Sequence, residues 1–170
     1  MFHSDTLGFG GGMRANYLRG KPAVKNFKSS FVAVALLLLV SGCASVPMAS
    51  KEEDAAAKSF RVPPDKGRIY VYRNEFMGGA LKIPITLDGK LMGSTLKDTF
   101  FAFDVSPGTH EVGCIGETGA KTTVDVKAGG SAYVWQEMKM GMWQANCAMN
   151  VVDEMKGRED VSKCSLAASQ

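Results

Sequence analysis

Histidine is almost missing from this 170-residue chain, with two residues, and tryptophan and proline are scarce, with two and six. Only His110 lies beyond residue 43. A Ser-His-Asp triad would have to use that one histidine at a strand start, and no Gly-x-Ser-x-Gly elbow accompanies it. His110 with Cys114, Cys147 and Cys164 has the composition of a zinc site, but no paired C-x₂₋₄-C unit. His110 and Cys114 do not suit a dyad, because four positions along a strand share a face about 13 Å apart, beyond hydrogen-bond reach. Also missing is any apolar run of the roughly 20 residues a spanning helix needs. These gaps speak against catalysis and against a metal or other cofactor, so the chain is not expected to be an enzyme.

The formal charge of +3 and the 45% hydrophobic content suit one mid-sized globular domain. The charge is unevenly placed. Residues 1–42 hold five basic residues (Arg14, Arg19, Lys21, Lys25, Lys28) and one acidic residue (Asp5), which leaves −1 for residues 43–170. A near-neutral remainder gives no reason to expect nucleic acid as a partner. Behind the basic stretch comes the apolar run 31–40, half a membrane span in length, which suits the central region of a secretory signal.

The run closes on Val40, Ser41, Gly42 and Cys43, an aliphatic-small-small-cysteine pattern that resembles the lipobox of bacterial lipoproteins. The resemblance implies cleavage between Gly42 and Cys43, acylation of Cys43, and membrane attachment, since several acyl chains anchor stably where one does not. The alternative is an ordinary signal peptide cut after Ala49. Met13 is a second candidate start, because residues 13–30 alone form a normal basic leader. Ala44 and Ser45 lack the aspartate that resembles an inner-membrane retention signal, so the analogy favours the outer membrane, facing the periplasm.

Residues 43–66 read as a flexible lipidated tether: Lys51 to Lys58 suit a helical turn or two, but the segment has no apolar stripe and is too short to persist as a helix alone. Such a chain would hold the domain on the order of 25 Å from the bilayer. Residues 67–170 then show eight short β-type segments: 68–73, 80–87, 90–94, 100–105, 109–115, 120–127, 132–140 and 145–152. Turn residues separate them at the spacing of a sandwich or barrel. Asp88-Gly89 is the dipeptide of a type I′ hairpin turn. Pro84 inside the second segment marks an edge or a bulge. Tyr70 with Tyr72, Phe101 with Phe103, and Tyr133 with Trp135 stand two apart, so each pair shares a face and reads as core. Residues 153–163 are more charged and suit a short C-terminal helix or an irregular return.

Several of these segments together resemble a known family. Gly67-Arg-Ile-Tyr-Val-Tyr-Arg73, Leu87-Asp-Gly-Lys90 with Gly93, Pro107-Gly-Thr-His110, Tyr133 with Met140-Gly141, and Val151-Val152-Asp153-Glu154 with Gly157 are similar to DUF2846, a family of bacterial lipoproteins, over residues 67–165. The middle portion also resembles the PEGA motif. The resemblance implies a small antiparallel, prealbumin-like β-sandwich of seven or eight strands, and brings no catalytic residues with it.

Two side-chain sets remain. With Cys43 taken by lipid, three cysteines allow one bridge. The three pairings stay open, with a lean to Cys147–Cys164, whose loop of about 17 residues would contribute roughly 3 kcal/mol. Met138, Met140 and Met142 alternate near Trp143 and could hold Cu(I) through soft thioethers, although methionines also fill irregular core edges. The expected function is a non-catalytic binding or structural module of the cell envelope. Its partners are the membrane through Cys43 and an envelope protein or glycan. The alternative is a periplasmic ligand-binding domain for glycan, peptide or Cu(I).

Overall fold

The structure, a computed structural model, describes residues 45–170. Gly42 and Cys43, the expected cleavage and lipidation positions, lie outside the described residues. The elements are α1 (Lys51–Lys58), β1 (Gly67–Arg73), β2 (Ile83–Leu87), β3 (Lys90–Thr95), β4 (Thr99–Val105), β5 (Gly108–Cys114), β6 (Ala120–Val126), β7 (Ser131–Met140), β8 (Ala145–Val152), α2 (Glu154–Lys163) and β9 (Ser165–Leu166). All eight expected strands are present. With the short ninth strand β9, they form a sandwich of a five-stranded sheet, β8-β7-β1-β4-β9, and a four-stranded sheet, β3-β2-β5-β6.

Period-2 patterning builds the core. Ile69, Val71, Phe101, Phe103, Val134 and Met149 on one inner face meet Ile83, Ile85, Val112 and Val124 on the other. The other face of the five-stranded sheet is also apolar, with Tyr70, Tyr72, Phe100 and Tyr133 buried beneath both helices. Tyr70 stacks on Tyr133 at 5.0 Å between ring centroids. The aromatic pairs are therefore core, as expected, but they supply two cores.

Turn chemistry sets the hairpins. Asp88 and Gly89 both have positive φ (50° and 78°), as a type I′ turn requires. β2 lies inside its sheet, and a register shift between Ile85 and Thr86, just after Pro84, supplies the bulge. The pairing is not wholly antiparallel. β1 runs parallel to β7 and β4 parallel to β9, because the chain crosses to the second sheet between these strands and returns in the same direction.

The flexible tether is corrected by the structure. Val46 is buried in the core between the sheets, and Met48 bridges Ala167 antiparallel. α1 begins with a capping box between Ser50 and Glu53. It buries one residue, Ala57, whose carbonyl accepts the Tyr70 hydroxyl at 2.8 Å, and its Asp54 accepts the Leu166 N–H at 2.8 Å. Phe60 then packs on Tyr70 and Tyr133. A helix that buries one alanine leaves no stripe in its sequence, and its stability comes from tertiary contact rather than propensity. α2 is capped by Asp153 and fixed by the Tyr72 hydroxyl, which donates to Asp160 at 2.9 Å. Gly157 lies where a Cβ would stand 2.3 Å from the Tyr133 ring.

Candidate interaction surface

The turns gather at two ends of the sandwich. The 88–89 and 106–107 turns form what we call the hairpin end. The 74–82, 96–98, 115–119 and 141–144 loops form the opposite end, the crown. β1 and β7 both finish at the crown, which brings the first and last of these loops together.

Large apolar side chains stand in solvent at the crown. Phe76 is 88% exposed, Trp143 87% and Met142 82%, with Met77, Leu81, Ile115 and Met140 also exposed. Scattered exposed apolar residues are ordinary, but a contiguous set marks an interaction site. Beneath them lies rigid scaffolding. Arg73 is fully buried and donates to the carbonyls of Leu81 (2.7 Å), Gly78 (2.6 Å) and Met77 (3.3 Å), fastening the loop that carries Phe76 and Met77. Glu75 lies 3.6 Å from the guanidinium and accepts the Met138 N–H at 2.6 Å. Burial pushes the Arg73 pKa below its ordinary value, and Glu75 opposes the shift.

The other two apolar loops are joined covalently and by hydrogen bonds. Cys114, at the end of β5, forms a disulfide with Cys147 near the start of β8. The Glu117 carboxylate accepts the Trp143 N–H at 3.2 Å. A Cβ at Gly141 would stand 2.0 Å from the same carboxylate, so glycine is what admits Glu117 there.

The bridge corrects the lean to Cys147–Cys164. Cys147 belongs to the core between the sheets, whereas Cys164 closes α2 within the helix-covered core. The two lie on opposite faces of one sheet. Cys164 is a free buried thiol whose Sγ lies 3.8 Å from the Arg73 carbonyl, and burial pushes its pKa up to about 12. The methionines separate similarly. Met138 is in the core while Met140 and Met142 are exposed, so they do not form one enclosed thioether site. Among the described residues no group of three His, Cys, Asp or Glu side chains is placed to hold a metal.

His110 occupies the hairpin end. Nδ1 lies 2.7 Å from Asp88 Oδ2 and Nε2 lies 2.8 Å from the Ser106 carbonyl. The second contact is to a turn carbonyl. Both partners are acceptors, so the geometry suits an imidazolium, and the Asp88 hydrogen bond followed by the Ser106 carbonyl raises the pKa. The residue fastens two turns. A cleft of about 810 Å³ between α1 and β4 has Arg68 and Asp104 on its floor, already joined to each other at 2.6 and 3.0 Å.

Sequence reasoning singled out Met138 to Trp143, as core-edge methionines or less readily a Cu(I) motif, and it missed Phe76, Met77 and Ile115. Their common signal was large apolar residues in loops, which becomes a surface only when the loops are known to meet.

These features define a small β-sandwich with a helical layer and one apolar end. The model of the family described as "Protein of unknown function (DUF2846)" matches residues 63–148, and the chain belongs to that family. An uncharacterized protein of Haemophilus influenzae (strain ATCC 51907 / DSM 11121 / KW20 / Rd) is 35% identical over 145 residues, covering 84% of each chain.

Proposed function

We propose that the chain is a lipid-anchored module of the bacterial cell envelope, attached through Cys43 to the outer membrane on its periplasmic side. It binds another envelope component through the crown and carries no catalytic activity. The rigidly held apolar crown carries the binding reading: an arginine is buried and a disulfide formed to keep Phe76, Met142 and Trp143 in water. Anchoring is supported by the leader and by the lipobox-like residues 40–43. Acyl labelling and membrane fractionation test it. The native chain is expected to label and sediment with membranes, and Cys43→Ser to lose both. A Cys43→Ser protein that still labels and sediments overturns the anchor. For the crown, a photo-crosslinking residue at position 143 is expected to give an adduct in intact envelopes. One at position 123, on the exposed face of β6, is expected to give none. The exposed Trp143 indole favours a second reading, in which the crown component is a glycan stacked on the ring.

A further inference from the structure

The start of the described chain bears on how such a protein meets its membrane. From Ala49 back to Val46 the chain runs antiparallel to β9 and its continuation: the Ala49 N–H donates to Leu166 O at 3.0 Å and the Ala168 N–H to Pro47 O at 2.9 Å. β9 pairs parallel with β4, which runs from the crown to the hairpin end. Traced backwards, residues 49 to 46 therefore head toward the hairpin end. Val46 is buried, so the packed domain reaches back at least to it. Only Ala44 and Ser45 separate it from Cys43, and three residue steps reach at most about 10 Å.

We infer that the domain lies with its hairpin end against the bilayer surface and presents the crown away from it. The height of the crown is then set by the sandwich itself and not by a flexible leash. This rests on the acylation of Cys43 proposed above. A seven-residue strand such as β1 spans roughly 23 Å, so the crown stands at least that far above the hairpin turns. The hairpin end suits the headgroup side. Its apolar residues Leu87 and Val105 are buried while Leu91, beside the turn, is half exposed, and exposed Lys66, Lys90 and Lys127 lie there among Asp65, Asp88 and Asp125, where lysines can meet lipid phosphates. The crown's apolar side chains consequently face the aqueous compartment, and the component they bind approaches from there rather than from the anchoring bilayer.

Energy transfer to a headgroup-labelled lipid tests the orientation. The acylated full chain is reconstituted in phosphatidylethanolamine–phosphatidylglycerol vesicles, with a donor dye on Lys90→Cys or on Gln144→Cys. Cys164 is buried and does not compete for the dye. Given a height difference of roughly 23 Å, transfer from position 90 is expected to exceed that from position 144 by at least about two-fold. Inserting about twelve Gly/Ser residues, on the order of 20 Å of coil, between Ser45 and Val46 is expected to lower transfer from position 90 and remove the difference. Equal transfer in the native chain, stronger transfer from position 144, or no response to the insertion overturns the inference. A chain that is not acylated at Cys43 fails at the labelling step, overturning the anchoring reading and this inference with it.

Discussion

The two ends of the sandwich are built from different interactions. The crown is held from within, by a buried guanidinium that satisfies three loop carbonyls and by a disulfide between the sheets. The hairpin end is held at the surface, by a type I′ turn and by the His110 contacts to Asp88 and Ser106. Interior fastening leaves the outside of the crown free to be apolar. Surface fastening commits His110 and Asp88 of the hairpin end to its own turns. The difference teaches that the crown loops are fastened by what lies beneath them, so their exposed side chains are expected to contribute little to folding.

The largest effect is expected from the crown's interior. Arg73→Met leaves three loop carbonyls and Glu75 without their partner, and breaking a buried charge pair in this way costs roughly 3–5 kcal/mol. Urea unfolding measures this, with Trp143→Ala as the contrast at within about 0.5 kcal/mol, as for an exposed side chain. An Arg73→Met variant as stable as Trp143→Ala removes the distinction between scaffold and surface.

Replacing Cys114 and Cys147 together by serine comes next. The bridge spans a sequence separation of 33, and the chain-entropy model gives a loss of roughly 3–4 kcal/mol. Non-reducing peptide mapping is expected to find the Cys114–Cys147 peptide, with Cys164 unreactive to alkylation until the protein unfolds. A Cys147–Cys164 peptide breaks the account of the crown.

The smallest effect belongs to the hairpin end and depends on pH. The folded-state pKa of His110 is raised, so its contribution is fully present below the unfolded value of about 6.5. It is lost as pH rises through the higher folded-state value. The Asp88 carboxyl is held below its usual range by the His110 hydrogen bond, so its share is lost as pH falls through the acid range. Surface pairs of this kind contribute about 0.5 kcal/mol. His110→Phe is expected to flatten the fall in stability above about pH 6.5, and a variant that keeps the native pH profile shows that another group is responsible.

Much of the sandwich was legible in the chain because strands and tight turns are written locally. Aromatics two apart at 70 and 72 and at 101 and 103 mark strand faces, and Asp88-Gly89 marks a turn through backbone conformations that few residue pairs adopt. The turns of α1 were legible but its docking was not, since one buried alanine has no period. The cysteine pairing was not legible either, because counting residues does not say which face of a sheet a strand end and a helix end occupy. The crown was half legible. The methionines and Trp143 stood out, but their meaning depended on Phe76, brought to the same end by the parallel return of β7 beside β1, and on Ile115, which follows the disulfide-joined end of β5.

By itself, then, the sequence determined eight strands, their turns, the family resemblance and the expectation of a lipid address, all of which rest on contiguous residues. Tertiary structure decided that two strand pairs run parallel, that Cys114 meets Cys147, that residues 46–60 pack against the sheet, and that four loops meet to make one apolar end. Each of these depends on which distant segments share a face, and that is fixed only when the two cores close.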